Sequence, residues 1–300
     1  MMSLSPAKRA APSNDEPIDV EREHVRRKTD NPTCRFFPTL TTAEHFKSLT
    51  HTQKIQLAGR ASRLQKRAHR NDLSQSSEFC WEAHAWEDVF GLIQDDKLLR
   101  MDKYPCYVMN PGTDKDYKDF FCGKRIPDAT FGLRARPSGG GVMDAGVLNM
   151  VTLRTKIQLE GNVAHGRRSP MNDICPFAVY EAKKVRGSAL GAEKQVAQAC
   201  DRYLGLLNSV LRDPKDRTKY QWPSSREYQI FSFTSCGPKW TVFIARRYGE
   251  LHSMEQIWEG DVRLKEDATQ LLCIVDQIHK WATDIYRPFV VRHLEVHSEA

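Results

Sequence analysis

In the run Pro176-Phe177-Ala178-Val179-Tyr180-Glu181-Ala182-Lys183, an apolar, β-prone stretch ends in a carboxylate and an amine two residues apart. Alternate residues of a strand share a face, so Glu181 and Lys183 project together. That pairing suits hydrolysis of a phosphodiester. The acid can bind a divalent cation, while the lysine steadies the attacking water or the charge developing on phosphate. The same acid-x-lysine spacing occurs at Asp95/Lys97, Asp116/Lys118 and Asp213/Lys215, all in polar, turn-like surroundings. Only Glu181 follows a run that reads as a buried strand.

A metal-assisted site needs a second carboxylate. In Lys124-Arg125-Ile126-Pro127-Asp128-Ala129-Thr130-Phe131-Gly132-Leu133, Pro127 and Asp128 precede a short strand-like segment. Asp144 and Asp173 lack that context, so Asp128 ranks ahead of them. Pro127-Asp128 followed by Glu181-Ala182-Lys183 resembles the PD-(D/E)xK nuclease superfamily, whose restriction-endonuclease-like core carries Pro-Asp on one strand and Glu-x-Lys on the next. The resemblance covers roughly residues 78 to 247. It is nearest to fungal PD-(D/E)xK nuclease-like domain proteins, in which such a strand leads into a helix bearing glutamines. Gln195 and Gln198 match that feature.

The resemblance implies roles residue by residue. Asp128, Glu181 and the Ala182 carbonyl are expected to hold Mg²⁺ or Mn²⁺, because hard cations prefer oxygen. Lys183 is expected to orient water or neutralise phosphate charge. Gln195, before Gln198, is expected to hold the lysine, the water or a phosphate oxygen. Family members also carry an acid on the helix before the first strand, where Glu78, Glu82, Glu87 and Asp88 compete. At about 100° per residue, Glu82 lies beside the face of Phe79, Trp86 and Phe90, whereas Asp88 points nearly opposite. Glu82 is therefore the choice, with Glu87 second. The implied function is a metal-dependent nuclease acting on DNA or RNA, and its alternative is a catalytically inactive module that binds nucleic acid or a protein. A homodimer is compatible with either.

These residues need elements to position them. Residues 1 to about 35 are polar and charged, and read as a disordered tail. A basic helical region over 36–72 follows, with Arg60, Arg63, Arg67 and Arg70 recurring at three or four positions as a stripe that could track phosphates. The expected nuclease-like domain spans 73–295, with a flexible insertion near 134–172 that starts at Pro137-Ser138-Gly139-Gly140-Gly141. Within it the pattern predicts a helix over 76–93 with Phe79, Ala83, Trp86, Phe90 and Ile93 on one face. Two or three strands between 104 and 133, the Glu181 strand and a helix over 192–211 come next. A hairpin from 227 to 245 and a helix over 268–286 ending before Pro288 complete the series. The expected class is α/β (α+β), a central mixed sheet flanked by helices.

Composition sets the outer bounds. The chain has 300 residues, 45 basic against 38 acidic and a formal charge of +7, a modest bias toward an anionic partner. Its eight cysteines form no Cys-x-x-Cys or zinc-ligand cluster and fit reduced thiols, so an intracellular site, nuclear or cytoplasmic, is expected. No apolar run reaches the about 18 residues of a membrane helix. The Gly-x-Gly-x-x-Gly, P-loop, Gly-x-Ser-x-Gly and His-Glu-x-x-His patterns are all missing.

Overall fold

The computed structural model describes residues 42–109, 122–136, 148–149, 175–248 and 251–299. The expected tail over 1–35 and most of the expected insertion, with Asp144 and Asp173, lie outside the described residues. Four helices come first: α1 (Thr42–Ser48), α2 (His51–Leu73), α3 (Glu78–Asp88) and α4 (Gly91–Asp95). Then follow β1 (Leu99–Asp102), β2 (Cys106–Met109), β3 (Cys122–Arg125), β4 (Ala129–Leu133), the two-residue β5 (Ala135–Arg136) and β6 (Leu148–Asn149), and β7 (Pro176–Lys183). Helix α5 (Ala189–Leu211) leads to β8 (Gln229–Cys236), β9 (Lys239–Tyr248) and β10 (Leu251–Asp261). The chain closes with α6 (Lys265–Trp281), a π-helical turn (Ala282–Tyr286) and α7 (Arg287–Glu299).

The main sheet has six strands in the order β1-β4-β7-β8-β9-β10. All neighbours are antiparallel except β7 and β8, which run parallel because α5 carries the chain back between them. Two small sheets stand apart, β2 with β3 and β5 with β6. Strand alternation sends side chains of the main sheet to two helical layers. On one face Thr130 meets Tyr203 of α5 through a 2.7 Å hydroxyl hydrogen bond. On the other face Phe90, at the α3–α4 junction, packs on Phe131, Tyr180, Phe233 and Trp240 with ring centroids 4.7 to 6.0 Å apart. Trp281 covers Phe231 and Phe177 on that second face.

Helix α2 belongs to the same hydrophobic core, through Leu57, Ala61, Leu64 and Ala68. A reciprocal cap starts it: Thr50 Oγ1 accepts from the Gln53 amide N–H, and Gln53 Oε1 accepts from the Thr50 N–H. No described helix is long and apolar enough to cross a membrane.

Several expected elements differ. The helix expected over 76–93 breaks at Val89–Phe90, so Phe90 is out of phase with Phe79. The buried face of α3 is Trp81, Glu82, Ala85 and Asp88, while Phe79 is 74 % exposed. The helix expected to end before Pro288 continues beyond it. Pro288 follows the π-helical turn, whose wider bonding, with the Arg287 N–H donating to the Ala282 carbonyl, accommodates a residue that has no N–H to give. Strands β1 and β10 were not foreseen. The first has only four residues, and the second, an edge strand, is largely polar.

Candidate functional site

Glu181 lies near the carboxyl end of β7 and is 4 % exposed. The turn after the strand is built by close backbone approach. Gly237, at φ +60°, donates its N–H to the Lys183 carbonyl at 2.7 Å, and a Cβ there would meet Val185 Cγ2 at 2.5 Å. A Cβ on Gly187 would lie 2.7 Å from Lys183 Cβ. Both positions therefore require glycine, and together they fix where Lys183 leaves the strand. Ser188 then caps α5, its Oγ accepting from the Gly191 N–H at 2.9 Å.

Asp128 sits in the bend just before β4. In the β4–β7 register Ala129 faces Tyr180, so extending the pairing by one residue sets Asp128 opposite Glu181. Directly opposed residues share a face, and alternation along β7 adds Lys183 to it. Asp128 Oδ2 also accepts from the Ala182 N–H at 2.7 Å, which ties the loop carboxylate to the strand. The Lys183 ammonium donates to Glu181 Oε1 at 2.7 Å and stands 3.6 Å from Glu78 Oε1 at the start of α3. One turn further along α3, Glu82 receives the Lys103 ammonium at 2.7 Å, and Lys103 also lies 3.7 Å from Asp128 Oδ1. Four carboxylates (Glu78, Glu82, Asp128, Glu181) thus share two ammonium groups (Lys103, Lys183).

The excess of acid shows in the titration behaviour. Burial first, and then the neighbouring Asp128 carboxylate, push Glu181 up to about 7. Burial also raises Glu82, with Asp128 and Glu78 adding repulsion against the pull of Lys103. Asp128 is raised by burial, in part offset by the Ala182 N–H. Burial works against the charged forms of Lys103 and Lys183, yet the surrounding carboxylates raise both.

The donors present suit a hard divalent cation, since Asp128 and Glu181 offer carboxylate oxygens whose mutual repulsion such an ion would relieve. As placed, Lys183 and Lys103 already hold Glu181 and Glu82, and among the described residues no three His, Cys, Asp or Glu side chains form a ready ligand set. The fit is therefore one of donor type and charge.

Gln195 is half-buried on α5 and bonds to no described residue, and Gln198 is exposed. The four arginines of α2 are not brought to this cluster. Arg60 forms a two-pronged pair with Asp276 of α6 at 2.8 and 2.9 Å. Arg67 grips Glu87 and reaches Asp88 at 3.1 Å, while Arg63 Nε lies 3.8 Å from Asp88. Arg70 is exposed and pairs with no described residue.

Sequence reasoning missed Lys103. Its signal depends on β1: Asp102 pairs with Thr130, which sets Lys103 beside Ala129 and so within reach of Asp128. In sequence Glu78 competes with Glu82, yet the two lie one turn apart and both meet lysines of the cluster. Comparison of the chain with models of known families, with curated proteins and with solved structures finds no match.

Proposed function

We propose that this protein is a metal-dependent nuclease of PD-(D/E)xK type, with a restriction-endonuclease-like core, that hydrolyses phosphodiester bonds of DNA or RNA. The observation that carries the reading is the cross-strand placement of Asp128 opposite Glu181, with Lys183 on the same face and Glu82 joined to Asp128 through Lys103. The order of elements agrees with it: a helix with an inward acid, three antiparallel strands, a crossover helix and a parallel strand.

Asp128, Glu181 and the Ala182 carbonyl would hold Mg²⁺ or Mn²⁺, which supplies charge neutralisation at phosphate and a more acidic water. The chain's own groups supply the rest. Lys183 and Lys103 stay protonated, because the carboxylates around them raise both. They can pass ammonium hydrogen bonds from a carboxylate to a phosphate oxygen as substrate enters. Glu181 gives up its proton near neutrality in the metal-free chain, so its carboxylate becomes available to a cation as pH rises through about 7. Gln195, close to the start of α5, can add an amide contact.

A second reading, a non-catalytic module that binds nucleic acid or a protein, draws on the lysines that already occupy Glu82 and Glu181. A nuclease assay with Mg²⁺ or Mn²⁺ on single- and double-stranded DNA and RNA separates the two. Cleavage that is lost in Asp128→Ala and Lys183→Ala supports the nuclease. Cleavage surviving both substitutions rejects this site, and binding without cleavage in wild type selects the module.

A further inference from the structure

A cleft of about 740 Å³ opens where α1, α2, α4 and α6 meet. Its size falls within the few hundred to about 1,000 Å³ typical of small-molecule sites. Leu49, Leu57 and Leu92 give it apolar wall. Its charged lining is unbalanced. Asp276 is fully engaged by Arg60, both of its oxygens accepting at 2.8 and 2.9 Å, which leaves Arg63 and Lys280 as exposed cations facing no other lining carboxylate. Arg63 reaches toward Asp88 only with Nε, at 3.8 Å, so its terminal nitrogens keep their donors. His45 also lines the cleft, and its Nε2 is buried with no hydrogen-bond partner among the described residues.

We infer that this cleft binds a small organic phosphomonoester, its phosphate held by Arg63 and Lys280 and its body lying on the leucine wall beside His45. Two cations lining one cleft match a dianionic phosphate better than a single carboxylate, and a guanidinium can offer it two parallel N–H bonds. The placement also favours a compact ligand over a polymer. Of the arginines spaced along α2, Arg60 and Arg67 are consumed by carboxylates of α6 and α3, so Arg63 lines the concavity, Arg70 stands apart from it, and the four do not form a continuous track. The inference is independent of the nuclease reading, because it uses none of the residues of the acidic cluster.

The test is calorimetric titration of the full chain with inorganic phosphate, adenosine monophosphate, uridine monophosphate and glucose 6-phosphate. Chelator is present so that no metal bridges a phosphate to the acidic cluster. The expected result is saturable one-site binding of at least one organic phosphate, weakened at least tenfold by the double substitution Arg63→Glu/Lys280→Glu. Circular dichroism with thermal unfolding checks that the fold is kept, and Arg63→Gln/Lys280→Gln, which sets no new carboxylate beside buried Asp88, should weaken binding as well. Arg70→Glu, on the same helix but outside the cleft, should leave the affinity within twofold. Absence of binding tighter than about 1 mM for all four probes overturns the inference. So does binding that survives the double substitution, or that Arg70→Glu weakens equally.

Discussion

Two regions of this molecule interleave acids and bases, yet they handle charge in opposite ways. Along α2, each inward arginine meets its own carboxylates: Arg60 takes Asp276, and Arg67 takes Glu87 and Asp88. At the end of β7, four carboxylates share two lysines, and Glu82, Asp128 and Glu181 all titrate above their ordinary range. A balanced set of pairs joins helices. An unbalanced, half-buried set stores repulsion that a cationic ligand can relieve, and perturbed groups of that kind gather at functional sites. Substitutions in the first region should therefore cost stability and spare activity, while those in the second should do the reverse.

The largest effect is expected at Asp128. Its replacement by alanine should lower the proposed metal-dependent cleavage by about 10²–10³, the scale seen when one key group of a charge-stabilising site is removed. Urea unfolding of the same variant should show a change of about 1 kcal/mol or less, since the lost Ala182 N–H bond is offset by relief of repulsion. A variant that loses activity only because it unfolds would break the comparison. Arg67→Ala should show the converse. It leaves Asp88, whose side chain is wholly buried and whose pKa burial already raises, with only the 3.8 Å approach of Arg63, and should destabilise the protein by about 3 kcal/mol in urea. Cleavage measured on the folded fraction should stay within about twofold of wild type.

How much of this was legible in the sequence follows from what each signal depends on. Glu181 and Lys183 could be found because a fully apolar strand and a fixed two-residue spacing are local properties. The mixed sheet flanked by helices was equally readable, from helical and strand periods alone. The choice of Glu82 reached a buried residue by way of a mistaken face: Phe79 is in solvent, and the break at Val89–Phe90 is what turns Phe90 into the core. Lys103 could not be found, because its approach to Asp128 depends on β1, four residues whose pairing with β4 is a long-range property. The arginine stripe was visible as spacing, but its partners come from α3 and from α6, some 20 and some 200 residues away in sequence. Periodicity does not report which carboxylate waits across a helix interface.

Glu181→Gln sharpens the contrast through pH. The carboxyl titrates at about 7 in the folded chain against about 4.5 unfolded, so the unfolded state gives up its proton first as pH rises. Stability contributed by the protonated group is therefore full below 4.5, falls as pH climbs from 4.5 to 7, and is lost above 7. Glutamine keeps an oxygen for Lys183 and carries no charge. At pH 8 the variant should be more stable than wild type by roughly 2 kcal/mol, with the difference shrinking toward pH 4.5. Paired urea curves at pH 5 and 8 read this directly. An equal difference at both pH values would mean that Glu181 is not strained by its surroundings, and the acidic cluster would then resemble the α2 pairs.

The smallest effect is expected at Arg70, the exposed member of the α2 series. It pairs with no described residue, so Arg70→Glu should shift stability by less than about 0.5 kcal/mol. Its use is to decide what the remaining surface charge of α2 does. If the series tracked a nucleic-acid backbone, reversing one contact would lower the slope of log affinity against log salt by about 1 or more. Because Arg60 and Arg67 are bound to carboxylates, no continuous track remains for Arg70 to extend. The slope should therefore stay unchanged for any nucleic acid the protein binds, measured by fluorescence anisotropy between low and moderate salt. A drop of a full unit would restore α2 as a phosphate-binding face and place both regions in one substrate path.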